Sequence, residues 1–283
     1  MKKITTSLLM MVLALPSTLS ALELDKDGYY LIHNADELVQ YREASEKKSG
    51  INGRLAADID LSSVCGIING DTINWEPINF PKSSFDGANH TISNFYYNSP
   101  DSSNVGFFKE IKQVSNLILK NAYVKGNKNV IGFAKAKKID NCHFEGIVEG
   151  GDNISVMTCD TLTNSSNYGC CFGNENVFGM IANKYVENCY NRGDIYGTKK
   201  TAAFISEYLG DQRNLYNVGK IRSDIEEDGI SNSSSISYCY VLDTFSTSFD
   251  RNKNKSESFY IFPLSKFNDG SVADSLNKYV TVH

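Results

Sequence analysis

Asp58 and Asp60, two residues apart in ADIDLSS, are the first residues of this chain whose type and spacing could do chemistry. On a strand such a pair shares one face, and glycoside hydrolysis needs two carboxyl groups about 5 to 9.5 Å apart. The same spacing suits a plain strand end, with Asp60 closing a turn and Asp58 meeting solvent or a loop amide. That reading is the stronger. Asp86 and His90 in FDGANHTI make a second pairing, an acid near an imidazole of the kind general acid–base catalysis uses. Their setting, an Asp-Gly corner followed by a strand, makes His90 a satisfied polar residue instead. The acidic run DIEEDG, residues 224–229, is explained by solvation better than by a Ca²⁺ ion. The histidines, His33, His90, His143 and His283, are scattered, and no Ser–His–Asp grouping, phosphate loop or zinc spacing occurs. His143, next to an inward cysteine, is expected to project outward. No catalytic residue, metal or cofactor is expected.

Cysteines and tyrosines offer the remaining side-chain chemistry. The seven cysteines are Cys65, Cys142, Cys159, Cys170, Cys171, Cys189 and Cys239, an odd number that leaves a thiol unpaired or shared between chains. Cys159, Cys170 and Cys171, in a polar segment, are the disulfide candidates. Adjacent Cys170 and Cys171 do not make a C-x-x-C zinc pair. Tyr190, Tyr216 and Tyr240 recur at one place of a repeat and are the candidate ligand-binding residues. An outward tyrosine row on a flat sheet can stack on sugar rings or on a protein partner, or can merely stabilise the sheet by cross-strand stacking. Phe95, Tyr96, Tyr97, Tyr196 and Tyr238 add to the aromatic content.

The elements that would position these residues come from an internal repeat. Aligned on Asn116, Asn141, Asn188 and Asn214, with Tyr238 as a weaker fifth anchor, the copies are 25, 47, 26 and 24 residues apart. The residue after each anchor is Leu117, Cys142, Cys189, Leu215 or Cys239, which predicts one inward row. Five places past the anchor come Asn121, Gly146, Gly193, Gly219 and Asp243, all turn formers. Seven places past come Tyr123, Val148, Ile195, Ile221 and Phe245. Eleven places before stand Val105, Val130 and Val177, with Ala203 in the fourth copy. Short apolar runs cut by Gly and Asn are strands with tight turns, and a repeat this short buries its apolar face only by stacking. The fold expected is all-β: a right-handed parallel β-helix of about 24-residue coils with short capping helices. Cysteines in the inward row act as small buried hydrophobes. The long interval is read as an insertion at 151–176, and loops 151–176 and 222–236 are expected to break the outline.

Residues 1–21 carry Lys2 and Lys3, an apolar run from Leu8 to Leu15, Pro16 and small residues ending at Ala21. This is the pattern of a secretory leader, so export from a bacterium to its periplasm, surface or surroundings is expected. No second apolar stretch is long enough to span a bilayer. Without the leader the formal charge moves from −5 to −7, which disfavours nucleic acid and anionic lipid as partners. The basic knots ASEKKSG and FAKAKK are read as solvated edges. Residues 22–104 would form the N-terminal cap and first coils, 105–255 the solenoid, and 256–283 the C-terminal cap. Asn34 and Glu37 make a capping box before a helix with Leu38, Tyr41 and Ala44 on one face. Val272, Leu276 and Tyr279 would lie on one face of a closing helix.

Several stretches resemble the bacterial GLUG-motif surface proteins, which have a pectin-lyase-like right-handed β-helix. They are YYLIHNADELVQY, LAADIDLSS, NWEPI, SFDGANHTISNFYYN, NVGFFKEIKQVSNLILKNAYVKG with its later copies, and FNDGSVADSLN. The Gly-Leu-Val-Gly core of the motif survives only as VIGF and VFGM, and AAFI at 202–205 lacks the glycine. The resemblance implies an exported, adhesin-like protein and no single activity. Adhesion or surface recognition, with a glycan or an extracellular protein as partner, is the leading expectation. A polysaccharide lyase or hydrolase, or a purely structural envelope protein, is the alternative.

Overall fold

Each coil turns where an asparagine enters the left-handed backbone region, which L-residues other than Asn, Asp and Gly rarely visit. Asn116, Asn141, Asn164, Asn188 and Asn214 have φ of 53°, 51°, 52°, 54° and 51°. A second corner is made by Asn104, Asn129, Asn153 and Asn176, with φ of 61°, 54°, 59° and 55°, and by Lys200 at 41°. Stacked on these corners, the chain forms a parallel β-solenoid of about eight turns. The computed structural model describes residues 22–44, 50–205, 211–224, 236–242, 259–272 and 274. The leader, His283, most of DIEEDG and of the 222–236 loop, Leu276 and Tyr279 lie outside the described residues, as do the side chains of Tyr238 and Cys239.

The amides of the corner asparagines continue the ladder at the side-chain level. Asn141 donates Nδ2–H to Asn116 Oδ1 at 2.9 Å, Asn188 to Asn164 at 3.2 Å and Asn214 to Asn188 at 3.0 Å. In the second row Asn129 donates to Asn104, Asn153 to Asn129 and Asn176 to Asn153, each at 3.0 Å. Glycine at the third corner has a different cause. Gly146, Gly193 and Gly219 have ordinary φ, but a Cβ there would lie 2.4 Å from Ala122 O, 1.8 Å from Gly169 O and 2.0 Å from Gly193 O. The coils touch backbone to backbone, and only a hydrogen side chain fits.

The segment 151–176 is not a lateral insertion. Asp152–Thr163, Ser166–Asn167 and Cys170–Phe172 form a complete coil between its neighbours, pairing in parallel with Lys128–Glu149 before and Glu175–Asn191 after. The 47-residue interval is therefore two coils of 23 and 24 residues, with Asn164 as the anchor between. Its inward residue is Ser165, buried like Leu117, Cys142, Cys189 and Leu215 in the same row. The hydroxyl that hid this copy is satisfied in place: it accepts from Cys142 N–H at 3.1 Å and donates to Thr163 O at 2.7 Å. Cys239 follows Leu215 in backbone register.

Two expected columns shift by a residue or two. A register change after Phe144 brings Val124, not Tyr123, opposite Val148, and Val124 is the buried one. Thr201, not Ala203, stands opposite Val177 in the row of Val105, Val130 and Ile154. Several inward rows of apolar side chains fill one core that runs from Leu22 to Ile221.

The N-terminal end is closed by helix α1, Ala35–Ala44, which buries Leu38, Tyr41 and Ala44. Asn34 Oδ1 accepts Glu37 N–H at 3.0 Å, while Glu37 reaches back to Asn34 Nδ2 at 3.1 Å and His33 N–H at 2.8 Å. The Tyr41 ring lies 4.9 Å from Phe80 and covers the first coil. At the far end a short helix, α2, Leu264–Asn268, follows the strand Phe259–Phe262. Helical turns resume at Ser271 with Val272 buried, the other residues expected on that closing helix lying outside the described ones.

Candidate functional site

The carboxylates that could have been catalytic hold turns. Asp58 Oδ1 accepts Thr91 N–H at 2.8 Å and contacts His90 Nδ1 at 3.1 Å. Asp60 Oδ1 accepts from Asn94 Nδ2 at 2.7 Å and Ser62 N–H at 2.8 Å. The Thr91 amide, then His90, holds the Asp58 carboxyl below its ordinary range, and the Asn94 amide does the same for Asp60. A general acid must keep its proton near neutrality, so these environments work against that role. Asp86 does not meet His90. It accepts from Arg54 Nε at 3.0 Å, Ala88 N–H at 2.9 Å and Asn116 Nδ2 at 3.0 Å. Arg54 also pairs with Asp25 and Asp27 and lies 4.3 Å over the Tyr29 ring, clamping the cap to the first coil.

His143 is half-buried, with Nδ1 2.6 Å from Ser166 Oγ, and burial pushes its pKa down. Ser166 has no solvent exposure, so this hydroxyl meets no substrate in the folded coil. Ser166, Tyr190, Tyr216 and Tyr240 continue the row begun by Ile118 and His143. The rings of Tyr190 and Tyr216 stack 4.7 Å apart at 3°. Tyr168 meets Tyr190 edge-on at 5.5 Å, the two hydroxyls are hydrogen-bonded, and the Arg192 guanidinium lies 5.7 Å from the Tyr168 ring. Toward the C-terminus the row is covered. Phe267 of α2 lies 6.3 Å from Tyr216, and Tyr240, only 3% exposed, stacks 5.7 Å from Phe262. Tyr190, with Tyr168 beside it at 42% exposure, is the open part of this row.

A second aromatic strip lies around the glycine corner. Tyr96, Tyr123, Ile147 and Cys170 occupy one outer row, and Phe172 and Tyr196 the next. Tyr96 and Tyr123 are 5.4 Å apart at 24°, and Phe172 and Tyr196 are 5.2 Å apart at 2°. Ile147 and Phe172 are 39% and 38% exposed. Five coils of strip span about 20 Å at the strand spacing. The sequence carried the signal: if the residue seven past the anchor points inward, those at six and eight point out.

Cys159, Cys170 and Cys171, the expected disulfide partners, are free thiols, as are Cys65, Cys142 and Cys189. Alternation sends Cys171 into the core and Cys170 outward, while Cys159 lies buried between Ala136 and Ala182 on another side. Burial pushes the Cys142 and Cys189 thiols up to about 12. Among the described residues no three His, Cys, Asp or Glu side chains gather as a metal site, and no helix is long and apolar enough to cross a membrane.

The outline of this solenoid recurs in a solved structure. A Bacteroides ovatus protein named "putative immunoglobulin A1 protease" matches with a TM-score of 0.57 at 17% identity, over 88% of this chain and 87% of that one. The fold is shared. No protein-family profile and no curated protein matches the sequence, so the surface-protein resemblance rests on its motifs alone.

Proposed function

We propose that this chain is an exported, non-enzymatic β-solenoid of a bacterial surface that recognises a glycan or protein through aromatic rings on its outside. The observation that carries this reading is the parallel stack of Phe172 and Tyr196 on the outside of adjacent coils, centroids 5.2 Å apart, with Phe172 38% exposed and Tyr196 half-buried. Rings fixed in parallel by successive coils lose little freedom when a ligand packs on them, and the aromatic surface they leave exposed can meet the C–H groups of a sugar ring. Tyr190, stacked on the partly covered Tyr216 and open beside Tyr168, offers a second aromatic surface. The motif resemblance supports export and surface display.

The test is an array of glycans and extracellular-matrix proteins probed with residues 22–283. Phe172→Ala/Tyr196→Ala is expected to weaken binding about tenfold or more, given about 1 kcal/mol or somewhat more per stacked ring. Tyr190→Ala/Tyr216→Ala separates the second platform from the first. Binding indifferent to both variants would remove the aromatic reading. Release of reducing or unsaturated sugars from polysaccharides would establish the lyase or hydrolase alternative in its place.

A further inference from the structure

We infer that a third side of the solenoid, where lysines outnumber acids, docks a linear acidic polysaccharide. The inference rests on the surface-recognition reading only in expecting an extracellular polymer, and it concerns a different side of the molecule.

Elsewhere, charges on adjacent coils are matched. Lys125 meets Glu149 at 2.9 Å, Lys128 meets Asp152 at 3.0 Å, and Lys199 pairs with Glu175, each pair in backbone register. The side that precedes the first asparagine corner breaks this pattern. Ile111 pairs with Ala136 and Gln113 with Lys138, which sets Lys112 opposite Lys137. Lys138 itself stands between Gln113 and Thr161. Lys135 lies opposite Thr158 on one side and the Lys109–Glu110 bulge on the other. Lys82 sits in the irregular stretch facing Lys112 on the preceding coil. Asp160, opposite Lys137 in the same row, is one acid for two lysines: Lys184 bonds it at 2.8 Å, and Lys137 adds to the pull on its carboxyl. At the adjoining corner, Asp140 accepts from Thr163 and Asn164, and Glu187 from Tyr185.

From Lys82 to Lys184 this side therefore exposes seven lysines, at 82, 109, 112, 135, 137, 138 and 184, against Glu110 and Asp160, a local balance of +5. The whole chain carries −5. Like charges directly across strands destabilise a sheet, so folding alone does not call for the Lys112–Lys137 pair. A ligand with negative groups spaced along a polymer resolves it, because successive coils present charges about 4.8 Å apart on a flat face. Lysines are point charges without the fork that selects phosphate, which suits carboxylates and sulfates alike. The hydroxyls of Thr158 and Thr161 on the next coil can meet sugar hydroxyls. None of these seven cations is an arginine, whose fork serves nucleic-acid phosphates and base edges.

Binding of the mature protein to polygalacturonate, dextran sulfate, neutral dextran and a DNA oligonucleotide, at low and high salt, tests this. At least one acidic polysaccharide should bind, weaken with salt, and exceed the oligonucleotide and neutral dextran. The two acidic polymers separate carboxylate from sulfate as the charge recognised. Lys112→Glu/Lys138→Gln should weaken that binding about tenfold or more. Lys112→Glu places an acid between Lys82 and Lys137, so the melting temperature should hold or rise, which excludes unfolding as the cause. Phe172→Ala/Tyr196→Ala should bind the acidic polymer as the wild type does. The inference fails if neither acidic polymer binds at low salt, if the lysine variant binds undiminished, or if the oligonucleotide binds as tightly. The aromatic platforms would survive any of those results.

Discussion

Asparagine holds this fold in two distinct ways. At the outer corners it supplies a left-handed turn, and Asn188→Gly should therefore cost less than Asn188→Leu, which must also bear about 1 to 2 kcal/mol of backbone strain. Asn167, Asn191 and Asn217, by contrast, are buried three places past the anchor. Asn191 donates to Gly193 O at 2.8 Å and to Asn217 Oδ1 at 2.7 Å, and accepts from Asn167 at 2.7 Å. Asn191→Ala orphans three buried polar partners and should lower the unfolding free energy by about 2 to 4 kcal/mol in urea titration. Gly193→Ala should be at least as severe, since its Cβ would meet Gly169 O at 1.8 Å. The Asn-x-Gly spelling of 167–169, 191–193 and 217–219 was present in the sequence. Its meaning was not, because a polar amide looks external until the next coil covers it.

At the level of the coil, the sequence reading succeeded where apolar residues recur and failed where a polar one stands in. Leu117, Cys142, Cys189 and Leu215 announced a row, but Ser165 broke the apolar pattern and concealed a full turn of chain. Its hydroxyl keeps its place only through Thr163 O and Cys142 N–H, neither of which propensity reveals. The thiols give a direct check of which way each strand segment faces. Among the six described cysteines, Cys170 alone is not buried. It should react with a thiol reagent in the native protein at pH 8, while Cys65, Cys142, Cys159, Cys171 and Cys189 should label only after denaturation. Fast native labelling of Cys171, or none of Cys170, would show this segment inverted.

For the whole molecule, the period of the repeat made the architecture legible, while the faces proposed for recognition emerged only from stacking. No single copy contains a platform: Phe172 and Tyr196, or Lys112 and Lys137, meet only across coils. The titrating groups are likewise spread along the stack. Asp25, Asp58, Asp60 and Asp160 all have carboxyls held below the ordinary 3.8, chiefly by amide or Lys184 hydrogen bonds. A depressed carboxyl stabilises the fold fully above its unfolded value, and that stability is lost as pH falls through the folded one. Buried Cys142 and Cys189 behave in the opposite sense: their effect is full below the ordinary 9.0 and is lost as pH rises toward about 12. The urea midpoint should be flat between about pH 5 and 8 and fall on both sides. Cys142→Ala/Cys189→Ala should lower the plateau yet flatten the alkaline limb.

The regular coil at 151–174 also bears on how such a chain can change in length. Joining Gly150 to Glu175 would seat Lys128 on Glu175, Asn129 on Asn176, Cys142 on Cys189 and Gly146 on Gly193, with Phe144 against Asn191 and Asp140 against Glu187 among the poor matches. A deletion of that size shortens the rod by about 5 Å and leaves its corners intact, whereas a slip of one residue turns every following side chain inside out. Inheritance can therefore trim or extend this molecule in whole-coil steps, moving one outer strip of side chains relative to another without redrawing either.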